Sequence, residues 1–496
     1  MEATMFRRTL VSALSIALCA STALAQDLPQ AQSEYFTAGQ DLLAERVATQ
    51  PNTSQAMNVI LFVADGMGVG TNYGIRLFQG QEMGLLGEEH NLPYDLYRNS
   101  AIIKTYNINA QTPDSAPTAG AMNTGVKQVF NTINMADTVI HDDCSTEAPL
   151  TLFSELVSDA GKSVGVVSTA RITHATGAAV YAKTANRNWE NNAPEGCVDI
   201  ATQLVDQMEA GVIDIALGGG ARSFAPEGTE IEVGTGNRPD EVNLIERASG
   251  LGAQVVYNSE QLASADLSAP VLGLFTNSDM NYEHDRPEGE PSLADMTTAA
   301  IEALQRNEEG FYLMVEAGRV DHASHGGNAH RAFTDGIALA EAVAAAQEMV
   351  DLENTLIIVT ADHEHVMSFN GYCGRGTPIT GLCMGVASGQ VEHSGEPNLA
   401  ADGKPYTVVS YTNGAGSVLV EQADGTYSGS RPDLTQEEAT DADYLQQALI
   451  PMGSETHSGV DVGLWATGPW SHLFGGTMDQ EMVFHVMNHA VFGAAE

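Results

Sequence analysis

Eight apolar runs of strand length punctuate this chain, and the first, residues 58–64, is apolar at every position after Asn58. A strand without a polar face must be covered on both sides, as a central strand of a parallel sheet is covered by its connecting helices. Comparable runs fall at 163–168, 213–217, 271–275, 311–315, 356–360, 406–411 and 460–466. Between them lie helical patterns, notably 292–306 and 329–350, with apolar residues at three- and four-residue steps. The alternation predicts an α/β fold: a large, mostly parallel central sheet flanked by helices on both faces. From 369 to about 435 the texture changes to glycines among polar residues, which reads as an insertion within one domain spanning 26–496.

Residues 1–25 read as a signal peptide, with Arg7 and Arg8 ahead of an apolar stretch and Ala23-Leu24-Ala25 as a cleavage site. The protein is therefore expected to be exported, periplasmic or extracellular. No later apolar run approaches the roughly 20 residues that span a bilayer, so no membrane span is expected. Four cysteines follow the leader, Cys144, Cys197, Cys373 and Cys383, an even number suited to an oxidising compartment. They allow three pairings. Cys144–Cys197 with Cys373–Cys383 is preferred, because the second closes a short Gly-rich loop.

The 64 acidic residues against 21 Lys plus Arg exclude nucleic acid as a natural partner. They are spread along the whole chain. A surface adapted to high salt, where self-repulsion is screened, follows as an expectation.

Chemistry gathers at the ends of the apolar runs. Asp65 ends the first, followed by Gly66; Glu316, Asp321 and His325 follow another; Asp362 and His363 end a third. Parallel strands bring such ends together at one sheet edge. Asp321 and His325 are four apart, so a helix there puts both on one face. These six residues carry too many anionic ligands for a single Zn²⁺ and suit a cluster of two or three cations, with a hard ion such as Mg²⁺ on the carboxylate and hydroxyl oxygens. Ser115 precedes Pro117, a residue suited to a helix's first turn, which places the hydroxyl at a helix amino end where an anion is favoured. A serine beside clustered divalent ions is a candidate nucleophile.

With these motifs together the chain resembles the alkaline phosphatases. The resemblance runs from about 58 to 490 and rests on Asp65-Gly-Met-Gly68, Asp114-Ser115-Ala, Glu316-Ala-Gly-Arg-Val-Asp321-His-Ala-Ser-His325, Thr360-Ala-Asp362-His363 and Glu455-Thr-His457-Ser-Gly459, in the family's order and spacing. It implies that Ser115 becomes phosphorylated while Arg187 clamps the phosphate, a task suited to a planar fork. It implies one Zn²⁺ on Asp321, His325 and His457 and another on Asp65, Asp362 and His363. A third ion, usually Mg²⁺, would sit on Asp65, Thr176 and Glu316. His174 and His322 match the animal members and leave both Mg²⁺ and Zn²⁺ open at the third site. His365 is expected to orient its neighbours and not to ligate. Animal members also carry Ca²⁺ near Phe275 and Glu290, but Thr276 stands where they have a glutamate, so calcium is left open.

The implied reaction is hydrolysis of phosphate monoesters, with small-molecule substrates of broad range, two Zn²⁺ and one Mg²⁺ as cofactors, and a homodimer with the insertion as a crown. A phosphodiesterase of the same superfamily needs two zincs but no third site. A non-catalytic metal-binding exoprotein would need neither Ser115 nor Arg187.

Overall fold

The computed structural model describes residues 28–493, so the proposed leader lies outside the described residues. Two compact units are present, 1–50 and 51–496. The described part of the first carries helix α1 (Glu34–Ala48), with no buried residue.

The second unit is organised by a ten-stranded sheet. Its strands are β1 (Asn58–Ala64), β2 (Asn99–Lys104), β3 (Ser163–Arg171), β4 (Ile215–Gly219), β5 (Gln254–Val256), β6 (Val271–Leu274), β7 (Phe311–Ala317), β8 (Thr355–Ala361), β9 (Val462–Thr467) and β10 (Thr477–Asp479). They lie in the order β10-β2-β9-β8-β1-β7-β3-β4-β6-β5. Every residue of β1, β7 and β8 is buried, as their apolar runs require, and Glu316 near the end of β7 is buried with them. These three are mutually parallel neighbours with β1 in the middle. Only β9 runs antiparallel to its neighbours, β8 and β2.

Helices cover both faces. On one, α2 (Val69–Glu82), α4 (Leu293–Leu304) and α6 (Ala329–Met349) pack together; on the other, α3 (Ser115–Thr124) packs on α7 (Met482–Phe492). The short α5 (Arg319–His325) follows β7 directly. Sequence signals set the boundaries. Ser292 caps α4 in a capping box with Asp295, and the Asn328 side chain accepts from Arg331 N–H at the start of α6.

Two expectations about strands needed correction. The run 406–411 does not enter the large sheet: Val409–Tyr411 pairs antiparallel with Met367–Phe369 instead. Its middle residue, Ser410, is only half-buried, so this strand has one covered face and not two. β2, β5 and β10 had no matching apolar run. β2 alternates exposed and buried positions, and β5 and β10 are three-residue edge strands. Both disulfides form with the preferred pairing, Cys144–Cys197 and Cys373–Cys383. Among the described residues no helix is long and apolar enough to cross a membrane.

Candidate active site

Register brings the chemistry together. Ala64 of β1 stands level with Ala361 of β8 and Ala317 of β7, so Asp65, Asp362 and Glu316 meet at the carboxyl ends of three adjacent strands. The Gly66 N–H donates to Asp362 Oδ1 at 3.0 Å and ties two of these ends. Gly66 has φ +75°, and a Cβ on it would lie 2.4 Å from His365 Nε2. Glycine is required there both for the backbone and for the space.

Three groups of donors converge. In the first, Asp321 Oδ1 lies 3.3 Å from His325 Nε2, one turn along α5, and 3.4 Å from His457 Nε2. His457 arrives on a two-residue strand, His457–Ser458, paired with Glu364–His365 just beyond β8. His325 Nδ1 is 2.7 Å from the Glu455 carbonyl, and His457 Nδ1 is 2.9 Å from the Pro113 carbonyl. Carbonyls only accept, so each Nδ1 carries a proton, and Nε2 is the ring atom that each turns toward Asp321.

The second group is Asp65, Asp362 and His363, with His363 Nε2 3.2 Å from Asp65 Oδ1 and 3.4 Å from Asp362 Oδ2. In the third, Thr176 Oγ1 donates to Asp65 Oδ2 at 3.4 Å, while Glu316 and His174 offer ligand atoms within 4.8 Å of Asp65. Both Glu316 oxygens are buried and make no hydrogen bond of ordinary geometry.

Such crowding of buried carboxylates is costly without a cation. Burial, then the charge of Asp321, pushes Asp65 up to about 7. Burial, then Asp65, pushes Asp362 up to about 6 and Glu316 well above the carboxylate range. Burial pushes His363 down to about 3, which keeps its imidazole neutral and able to ligate. Orphaned carboxylate oxygens beside neutral imidazoles make a donor set that fits divalent cations.

Ser115 opens α3. Asp114 caps the helix through a 2.9 Å bond from Ala116 N–H, leaving the Ser115 Oγ 3.3 Å from Asp65 Oδ1 and 3.2 Å from His363 Nε2. Arg187 faces it across a cavity of about 330 Å³, with Nη1 2.9 Å from Asp114 Oδ1 and Nη2 2.8 Å from His174 Nε2. His322 lines the same cavity, its Nδ1 accepting from Arg319 Nη1 at 2.9 Å. His365 sits between Asp321 Oδ1 at 2.9 Å and Glu455 Oε2 at 2.6 Å. Although burial opposes it, these two carboxylates hold its imidazole well above the usual range.

All thirteen expected site residues thus surround one cavity or the donor groups at its base. Two further residues escaped the sequence reading. Asp114 serves both the helix cap and Arg187, and Glu455 supports two imidazoles; each sits inside a quoted motif, one or two positions from a candidate residue. As for the calcium question, Asn281 donates to both Glu290 oxygens, through its N–H at 2.9 Å and its Nδ2 at 2.7 Å, and Thr276 Oγ1 donates to the Ser278 carbonyl at 2.8 Å.

Comparison with known proteins agrees with this geometry. The alkaline phosphatase family model matches residues 56–492. The tissue-nonspecific alkaline phosphatase of Gallus gallus is 38% identical over 462 residues, covering 88% of this chain and 85% of that protein. The Gadus morhua alkaline phosphatase is 37% identical, covering 88% and 92%. Among solved structures, the Thermus thermophilus alkaline phosphatase superposes with a TM-score of 0.63 at 23% identity, covering 90% of this chain and 93% of that one. The alkaline phosphatase of the Antarctic bacterium TAB5 gives 0.60 at 20% identity, covering 89% and 100%, so the fold is shared far beyond the sequence. Motif order, strand-end geometry and matches over nearly the whole second unit lead to one assignment: the chain is an enzyme of the alkaline phosphatase family.

Proposed function

We propose that the enzyme hydrolyses phosphate monoesters of broad range through a phosphoserine at Ser115, with Asp321, His325 and His457 holding one Zn²⁺, Asp65, Asp362 and His363 a second, and Asp65, Thr176 and Glu316 an Mg²⁺. The observation that carries this reading is the Ser115 hydroxyl, at a helix amino end, between Asp65 and His363 and in one cavity with Arg187. Bound divalent ions would supply charge neutralisation at the phosphoryl oxygens and make a hydroxyl held against them more acidic.

The chain's own groups do the rest. Ser115 Oγ attacks phosphorus, the ester P–O bond breaks in line, and the alcohol leaves; water then attacks the phosphoserine and frees inorganic phosphate. Asp114 and His174 hold the Arg187 fork, so its charge is placed before substrate arrives. Ala116 N–H is taken by the Asp114 cap and Pro117 has none, so the positive end of the α3 dipole, and not a set of free N–H groups, adds potential beneath the phosphoryl group. Glu316, with two unpartnered oxygens, supports the third ion and so the monoesterase reading over a phosphodiesterase.

The remaining proposals are coarser. The two disulfides suit an exported protein, with 1–25 as its leader and 26–496 as one domain bearing a crown-like insertion at 369–435. A homodimer and a salt-adapted surface complete the reading.

Ser115→Ala tests it. The variant should bind zinc and magnesium at wild-type stoichiometry, measured by elemental analysis, and lose at least about a thousandfold in kcat on phenyl phosphate. Turnover within tenfold of wild type would sink the nucleophile assignment. Relative rates on phenyl and bis-phenyl phosphate separate monoesterase from diesterase.

A further inference from the structure

Two asparagines line the active-site cavity on either side of Arg187, and nothing above uses their side chains. Asn188 follows the arginine in sequence. Asn131 adjoins it through the main chain: the Asn131 carbonyl accepts from Arg187 N–H at 2.9 Å, and the Asn131 N–H donates to Asp114 Oδ2 at 2.6 Å. Among the described residues, neither side-chain amide has a hydrogen-bond partner. Their charged neighbours in the cavity differ. Arg171 is bonded to both Glu190 and Asp279, so it and Glu190 are committed to each other.

The backbone at Asn131 sharpens the point. Its φ is +65°, a region glycine enters without steric cost and other residues enter at a cost, asparagine less than most. The structural duty of the position, joining the cap of the Ser115 helix to the Arg187 segment, is carried by main-chain atoms alone. Glycine would discharge it equally well. What glycine would lack is an amide, with two donors and an acceptor, on a residue that lines the cavity.

Resting on the phosphomonoesterase reading, we infer that Asn131 and Asn188 form a polar collar that hydrogen-bonds the alcohol portion of the ester and favours hydroxyl-rich alcohols, such as sugar and polyol phosphates, over aryl ones. The phosphoryl end is engaged at Ser115 and Arg187, so the alcohol extends toward the open side, where Asn188 is exposed and Asn131 half-buried. An amide there meets hydroxyls as both donor and acceptor, whereas a bare aromatic ring leaves it to water.

Kinetics on the metal-loaded enzyme test the collar, using glucose 6-phosphate and phenyl phosphate as probes with wild type, Asn131→Gly, Asn188→Ala and the double variant. Asn131→Gly keeps the main-chain bonds and relieves φ, so folding is not at issue. The ratio of KM for glucose 6-phosphate to KM for phenyl phosphate should rise about fivefold for each amide removed. An unchanged ratio overturns the collar while leaving the phosphatase reading intact. Equal increases in both KM values overturn it too, because they place the amides on the phosphoryl group. Failure of wild type on both probes sinks the phosphatase reading itself.

Discussion

Glu455 is bonded to His325 twice through its main chain: its N–H donates to the His325 carbonyl at 2.9 Å, and its carbonyl faces His325 Nδ1 at 2.7 Å. Its carboxylate is spent elsewhere, on His365 Nδ1 at 2.6 Å and Val366 N–H at 2.7 Å. One buried residue therefore orients two imidazoles toward Asp321. Glu455→Gln cannot accept at both carboxylate positions, since one becomes a donor. We predict zinc affinity at the Asp321 group about 10- to 100-fold weaker, read by chelator competition, with the fold intact by circular dichroism. Wild-type affinity would show that the His365 ring needs no such support, the main-chain bonds to His325 being unchanged in the variant.

Helices α2 and α6 cross at a pair of small residues. A Cβ on Gly74 would lie 2.4 Å from the Phe333 ring, which is fully buried, and one on Gly336 would lie 2.2 Å from Ile75 Cδ1. Gly74→Ala should cost about 1–3 kcal/mol, seen as a lower unfolding midpoint in denaturant, because the ring has nowhere to retreat. A gain in stability would mean that helix propensity outweighs the contact.

Asp335 gives the fold a pH dependence away from the donor groups. Burial pushes its carboxyl up to about 8 from 3.8, against a weaker opposing bond from Glu283 N–H. The folded state then binds the proton more tightly than the unfolded state. The group's contribution is complete below about pH 4 and is lost as pH rises through about 8, by at most about 1.4 kcal/mol per unit. Asp335→Asn should flatten that decline: the difference in Tm between variant and wild type should grow in the variant's favour from pH 5 to 9. A pH-independent difference would contradict the raised value.

A formal charge of −43 predicts a salt response. Unfolding midpoints should rise between about 0.1 and 1 M NaCl, where the screening length falls from about 10 to 3 Å. If potassium chloride and sodium chloride both leave the midpoint unchanged, the acidic surface is no adaptation to salt.

The central strands were legible because burial on both faces leaves only apolar residues, as in Val59–Ala64, and a long unbroken run has few other homes. Edge strands were not. β10, Thr477–Asp479, is half exposed and three residues long, so nothing in its composition separates it from a loop. The donor residues were legible for a related reason: Asp65 and Asp362 follow directly on buried apolar runs, whose ends parallel strands bring to one sheet edge, and the register then set them level. His457 could not, because its partner strand has only two residues and pairs across almost a hundred positions of chain; it came from family resemblance. Asp114 and Glu455 were missed because their roles lie in hydrogen bonds to the Arg187 fork and to two imidazoles, which leave no periodic mark.

The order of the strands gives the chain a timetable. By the time residue 361 has been made, β1, β7 and β8 can align, and Asp65, Asp362 and His363 can assemble soon afterwards. The Asp321 group has to wait for His457, and the sheet that supports it stays open on one side until the antiparallel β9 docks on β8 and β2. The Asp65, Asp362 and His363 donors can therefore come together before the Asp321 group is complete, and a chain cut short before residue 457 would leave Asp321 and His325 without their third neighbour.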